Sequence, residues 1–453
     1  MRKEEAELNE LIGEEYSIDE EEFREEIELG EEEIKAMKFT RFDQLWRLWK
    51  EYIDYCLIGN EELKRVLFHV FVGVILTHKG YTYYEAPYKR STRFHTFIIQ
   101  DSGQGKSVAM KAVCNLIDYL QIPNRWTIKD NEASVVGSVF IDEKTKMAIQ
   151  HPGILSTAYL LTYDEGSVLL KKSGFMDVLT DAFQGAMDEP GRVAKGMKLG
   201  EIDYYTKCTV LAGSYMFDEF ETTMFEKGFL QRMFVYNGNY TEQEKKNIRR
   251  DVFLLKGRTD VKRMNEVKEL IKRLISEIPK HEDGVVLFDK DDMFAFLNHL
   301  EDFREHNITN SYTKKKQKVL DTFSNRMHML SDKIAAQRAI VDGRRIVNLE
   351  DMLEGLKLLD YHVKSLHQIF TTLPDTVRKD FEGNRETEIK MMIQGNGNSI
   401  SKKELLMRLS GGFNNGSWAF GSQKTINYLN DLITKGIIKE IQSKKKDSMI
   451  YIV

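Results

Sequence analysis

The sequence predicts an α/β core with helical segments on both sides of it and a small helix-and-hairpin module at its C-terminal end. Three observations predict it. Between Phe94 and about Asn237, short apolar runs alternate with helical patterns, as in proteins whose strands and helices take turns. On either side, residues 41–79 and 241–375 carry apolar residues at helical spacing. From Pro374 to Asn384 the chain turns polar, with both Pro and Gly, and a fresh set of short elements follows. With 453 residues, 42% of them apolar and 11% aromatic, two or three cores can be buried.

The elements follow in order. Residues 1–38 form an acidic segment, and positions 1–35 hold 16 acids against 4 bases. This pattern fits a solvating tail or frayed helix, and equally a mask over a basic surface. The overall charge of −5 therefore hides a balance of about +7 in the rest of the chain, so contact with nucleic acid is not excluded. Residues 39–90 are a helical region leading into the core, with two helices separated at Gly59-Asn60. The longest apolar run, Val66 to Thr77, is interrupted by His69 and is too short for a bilayer. The start of the chain lacks a secretion signal, and Cys56, Cys114 and Cys208 have no metal spacing. They read as buried thiols of a cytoplasmic protein with no membrane contact.

The core, residues 91–240, opens on the most informative stretch. Phe94 to Ile99 reads as a strand and Val108 to Leu120 as a helix, with Gln100-Asp101-Ser102-Gly103-Gln104-Gly105-Lys106-Ser107 between them. A Gly-rich turn at a helix N-terminus places backbone N–H groups around phosphate oxygens. Gly103, Gln104 and Gly105 would cradle them, Lys106 would reach the β/γ-phosphates of ATP, and Ser107 would ligate Mg²⁺. Gln100 stands where the full pattern has glycine.

A phosphate loop needs an acidic partner on a nearby strand. Ala158 to Tyr163 ends in Asp164-Glu165, 58 residues after Lys106. Asp164 would hold the Mg²⁺ shell and Glu165 would polarise the attacking water. The next strand, Lys207 to Gly213, ends at Ser214, which is either a hydrogen-bond donor to the reacting groups or a turn serine. Arg232 precedes the apolar run Phe234 to Tyr236. It is a surface charge, a partner for a local acid, or a residue that completes a neighbouring subunit's site.

In this order the motifs resemble the AAA+ ATPases, in the branch of the minichromosome maintenance helicases and related plasmid and viral helicase-like proteins. Gly103 to Ser107, Tyr163-Asp164-Glu165, Ala133 to Val139 with its following polar run, and Gly228 to Phe234 carry the resemblance. It covers roughly residues 55–370, and residues 241–378 take the place of the helical lid. It implies a ring, with hexamer as the expected assembly, and Arg232 as a finger acting in trans. It implies a pore hairpin at Gly191 to Gly200, whose Arg192, Lys195 and Lys198 would touch DNA; a solvent-facing turn is the alternative. It also gives Arg326 the place of a nucleotide-sensing lid arginine, with Arg338 as rival. The large DNA-binding region that precedes the core in those helicases, often with a zinc ribbon, has no counterpart here.

Residues 385–453 read as three short helices and a β-hairpin, and resemble a winged helix domain. Ser401 and Glu404 form a capping box for the second helix. Lys444, Lys445 and Lys446 at the hairpin tip suit contact with DNA phosphates, and equally solubility or edge protection. The expectation is an ATP-driven DNA translocase or helicase of a replication system. The alternative is a remodeller or initiation switch that unwinds nothing, and basic rather than aromatic residues at 192–198 favour DNA over polypeptide. A protein that uses ATP only to assemble is a third reading, and Glu165 argues against it.

Overall fold

Thr40 starts the first helix, α1 (Arg41–Asp54), with a reciprocal capping box to Asp43. At Gly59 and Asn60 the backbone takes positive φ, and the Asn60 side chain caps α2 (Glu61–His78) by accepting from Leu63 N–H. Phe42, Leu45, Trp49, Tyr52 and Ile53 of α1 are buried, and α2 is buried nearly all round. Its Lys64 is buried too, which is tolerable because its ammonium meets Asp54 and Glu61.

These helices belong to a computed structural model. It describes residues 40–85, 88–101, 103–127, 132–141, 148–166, 179–180, 182–183, 191–194, 201–215, 228–238, 240–255, 260–279, 284–308, 314–372, 389–390, 392–394, 396, 398–410, 422–442 and 448–452. The acidic segment 1–38 lies outside them. The chain divides into two compact units, residues 1–373 and 374–453.

A five-stranded parallel sheet forms the centre of the first unit. Its strands are β3 (Thr96–Ile99), β4 (Asn124–Thr127), β7 (Leu160–Tyr163), β10 (Thr209–Ser214) and β11 (Phe234–Asn237), in the order β11-β3-β10-β7-β4. The middle strands are buried on both faces, as a sheet covered on both sides requires. Helix α3 (Lys106–Tyr119) packs on one face through Ala109, Met110, Val113 and Leu116. Two antiparallel hairpins leave the sheet, β5 (Gly137–Ile141) with β6 (Ala148–Pro152), and β8 (Gly191–Ala194) with β9 (Glu201–Tyr204).

The region expected to be almost entirely helical holds α4 (Glu242–Leu255), α5 (Val261–Ser276), α6 (Lys290–Ile308), α7 (Lys314–Ser324), α8 (Met327–Val341) and α9 (Leu349–Thr372). These helices fill most of it as expected, and it also holds two short strands that the sequence reading did not place. These are β12 (Val285–Phe288) and β13 (Ile346–Val347), and they join β1 (Thr82–Glu85) and β2 (Tyr88–Ser91) in a mixed sheet ordered β13-β12-β1-β2. The run Val285-Val286-Leu287-Phe288 is β-prone but short, and its partner β1 lies some 200 residues upstream.

The second unit contains a helical stretch around Ile389, then β14 (Ser399–Ser401), α10 (Lys402–Ser410), α11 (Ser422–Thr434), β15 (Ile438–Gln442) and β16 (Ser448–Ile452). Its core is Ile389, Ile393, Ile400, Leu405, Leu429, Leu432, Ile438 and Ile450. Ser401 caps α10 through Glu404 N–H, as its sequence suggests. The sheet has a third strand beyond the expected hairpin, because Ser399–Ser401 pairs antiparallel with β16.

Candidate functional site

Register brings three strand ends to one edge. Ser214 of β10 pairs with Ile99 of β3, and Ala212 pairs with Tyr163 of β7. The loop after β3 and the acids after β7 therefore flank the end of β10, at the carboxyl edge where open α/β sheets receive ligands. Gly103 and Gly105 take φ of +80° and +83°, which lets the loop turn tightly onto the N-terminus of α3. The first N–H groups of α3 have no partner within the helix and face the turn.

Lys106 is the first residue of α3, and its stem lies against Gly213. A Cβ at 213 would stand 2.9 Å from Lys106 Cδ and 2.7 Å from Met110 Sδ, so glycine there makes room for the lysine. Burial pulls the Lys106 ammonium below its ordinary pKa, against the opposing pull of Glu165, Asp164 and Asp101. At the next residue, Ser107 Oγ donates to Asp164 Oδ1 at 2.6 Å. Lys106, Ser107, Asp164 and Glu165 share a cleft of about 460 Å³, within the range of small-molecule sites.

Gln100 is accommodated without glycine's conformational freedom. It is not among the residues at positive φ, its N–H continues the sheet pattern to Ser214 O, and its side-chain amide donates to Gly238 O. Ser102 lies outside the described residues. Gln104 is buried and ties the loop to the segment after β11, accepting from Tyr240 N–H.

Other expected site residues stand elsewhere. Ser214 ends its strand beside the cleft, but it is fully buried and its hydroxyl donates to Tyr215 O; Tyr215 is the one that lines the cleft. Arg232 occupies a helical turn just before β11, at the amino edge of the sheet, where it donates to Gly228 O. Four residues of strand, roughly 13 Å, separate that edge from the loop after β3, so Arg232 does not reach its own chain's cleft. Arg326 stands at the N-terminal boundary of α8 and does not line the cleft. Arg338 is held by Glu350, Asp351 and Glu354. Arg192 lies on β8, its side chain outside the described set, and Lys195, Lys198, Lys444, Lys445 and Lys446 are outside it altogether.

Sequence reasoning missed the apolar wall. Leu57 and Ile58, from the break between α1 and α2, and Ile248 of α4 also line the cleft. Leu57 packs so close that a Cβ on Gly105 would stand 2.9 Å from its Cδ1. The segment looked like a helix break, and Ile248 is a lone apolar residue in a charged run, so neither carried a signal. No protein-family model and no curated protein matches this chain. Among the described residues no helix is long and apolar enough to cross a membrane, and no cluster of three or more His, Cys, Asp or Glu could hold a metal ion.

Proposed function

We propose that the chain is an ATP-hydrolysing, ring-forming DNA translocase or helicase of a replication system, of plasmid or viral type. In this reading it has an AAA+ core and a C-terminal winged helix domain. The convergence of Lys106, Ser107, Asp164 and Glu165 on one cleft carries the reading. The strand order supports it, since β10 lies between the phosphate-loop strand and the acidic strand and leaves a crevice between their ends.

The residues fit ATP with Mg²⁺. One hydroxyl and one carboxylate, already in contact, are what the protein contributes when phosphate oxygens and water complete a magnesium shell. Bound there, the ion would neutralise charge developing on the phosphoryl oxygens. Lys106 orients the β/γ-phosphates, and the N-terminus of α3 with the Gly103–Gly105 turn holds them. Glu165 takes the proton of the attacking water. Leu57, Ile58 and Ile248 exclude water and offer an apolar wall to a base. Arg232 serves the cleft of a second subunit, which suits its position at the far edge of the sheet. The β8–β9 hairpin, with Arg192, Lys195 and Lys198, follows DNA phosphates inside the ring.

Mixing variants tests the reading. Glu165→Gln should bind Mg-ATP and turn it over at least ~100-fold more slowly, because the amide takes no proton. Arg232→Ala should also bind ATP and lose turnover. Mixed rings should regain activity, since some interfaces then carry both intact halves. No recovery in assemblies shown by mass to exchange subunits would remove Arg232 from the site, wild-type turnover in Glu165→Gln would remove Glu165 as the base, and no ATP turnover by the unaltered chain would remove the ATPase assignment.

A further inference from the structure

A second pocket, of about 270 Å³, opens where α1 and α2 meet α8 and α9. Its walls are aromatic, from Phe42 and Trp46 of α1 and Tyr361 of α9. Its polar groups are Arg65, Arg338, Lys357 and Glu354, three cations and one carboxylate. The guanidinium of Arg65 lies 4.4 Å above the Trp46 ring. Glu354 serves all three cations, Lys357 at 2.5 Å and the two arginines only at 3.9 and 4.0 Å. Arg338 has Glu350 and Asp351 besides. Among the described residues Arg65 has no hydrogen bond, and Glu354 is its one ion-pair partner. Burial pulls the Arg65 pKa down, the direction in which a second anion would act oppositely. His69, at the back of the pocket, accepts no role as a cation: burial holds it neutral, at about 3, and Gln337 Oε1 lies 2.8 Å from its Nδ1.

An aromatic slot with a planar, under-used guanidinium at its mouth has the chemistry of a receptor for a flat anion. We infer that this pocket binds a small organic anion, its phosphate or carboxylate on Arg65 with Lys357 in support and its apolar body against Trp46 and Phe42. The guanidinium offers a bidentate fork to such a group. A volume just below the ~300 Å³ of the smallest ordinary ligand sites sets the ligand at fragment size. The site is built from other residues than the first cleft, so the inference stands whether or not that cleft hydrolyses ATP.

The test uses phenyl phosphate as probe and the full chain carrying Lys106→Ala, so that the phosphate loop does not compete. Calorimetry should give saturable binding, at least ~10-fold tighter than inorganic phosphate or phenol alone, because the two halves of the pocket act together. Arg65→Gln in that background should weaken phenyl phosphate ~10-fold or more, and Trp46→Leu should weaken it while leaving inorganic phosphate unchanged. Lys357→Gln, at a side chain 73% exposed and harmless to the fold, should weaken it about threefold. No saturable binding up to about 10 mM, or equal affinity in Arg65→Gln and Lys357→Gln proteins that melt like the parent, overturns the inference.

Discussion

Replacing Gly213 by alanine probes the geometry of the first cleft without removing any of its chemical groups. The added methyl would stand 2.7 Å from Met110 Sδ, 2.9 Å from Lys106 Cδ and 3.2 Å from Lys106 Cγ, all closer than carbon and sulfur tolerate. Those neighbours are side-chain atoms, and the lysine stem yields more readily than the strand. Overpacking of this kind costs roughly 1–3 kcal/mol. If the strain is relieved by turning Lys106 away from the phosphates, that energy appears as lost affinity, roughly 5- to 150-fold for Mg-ATP. The assay is a double-mutant cycle by calorimetry, with wild type, Gly213→Ala, Lys106→Ala and the double variant. Once Lys106 is truncated only Met110 is left to displace, and it does not line the cleft, so Gly213→Ala should cost less than about threefold in Mg-ATP affinity in that background. An equal loss in both backgrounds would refute the argument, because the alanine would then act through β10 or Met110 and not through the lysine.

Ser107→Ala removes the hydroxyl that donates to Asp164 and should raise the Mg²⁺ concentration needed for turnover about tenfold, whereas Ser107→Thr should restore it; a titration of activity against Mg²⁺ decides. Neutralising Lys195 and Lys198 together should leave basal ATP turnover intact, lower DNA-stimulated turnover and flatten the salt dependence of DNA binding by roughly two phosphate contacts; unchanged strand displacement would exclude this hairpin. Neutralising Lys444, Lys445 and Lys446 should weaken duplex binding similarly for unrelated sequences, and unchanged duplex affinity at low salt would favour protein docking for that unit. Stability should fall with acid. Burial holds His69 near 3, His362 near 4 and His95 well below 6.5, so between pH 6.5 and 4 the unfolded chain binds these protons and the native one does not. Asp332, raised to about 8 by burial, is protonated in the native state over the same range and offsets one of the three. The buried histidines outnumber that offset, so the native state loses stability as the pH falls, and a melting temperature flat from pH 7 to 5 would refute it.

The sheet and the loop were legible because their residues carry local chemistry. Gly103, Gly105 and Lys106 announce a tight turn onto a helix by composition alone, and the strand before Asp164-Glu165 is apolar right up to its acids. The two helices broken at Gly59-Asn60 were legible from apolar spacing, and both residues there adopt the left-handed backbone. What the sequence hid depends on distant partners. β12 pairs with a strand some 200 residues away, and the three residues of β14 were indistinguishable from the start of a helix cap. Leu57 acquires its place in the cleft only because α1 and α2 pack beside α3, and the spacing within α1 says nothing of that. Tyr215, not Ser214, faces the cleft because alternation along β10 turns the serine inward.

β11 is an outer strand of the parallel sheet, and among the described residues no further strand covers it. Two side chains of α9 do so instead: Val235 N–H meets His362 Nδ1 at 2.9 Å, and Asn237 N–H meets Ser365 Oγ at 2.8 Å, across 127 and 128 residues of sequence. During synthesis at ~5–20 residues per second, the outward edge of β11 therefore waits some 6–25 s for its cover to leave the ribosome. Through that interval it is an open template on which another nascent copy can pair. A fragment ended near residue 240 would keep the template open for good. The shortest form of the first unit with this edge covered thus extends to the end of α9, however complete its motifs look by Asn237.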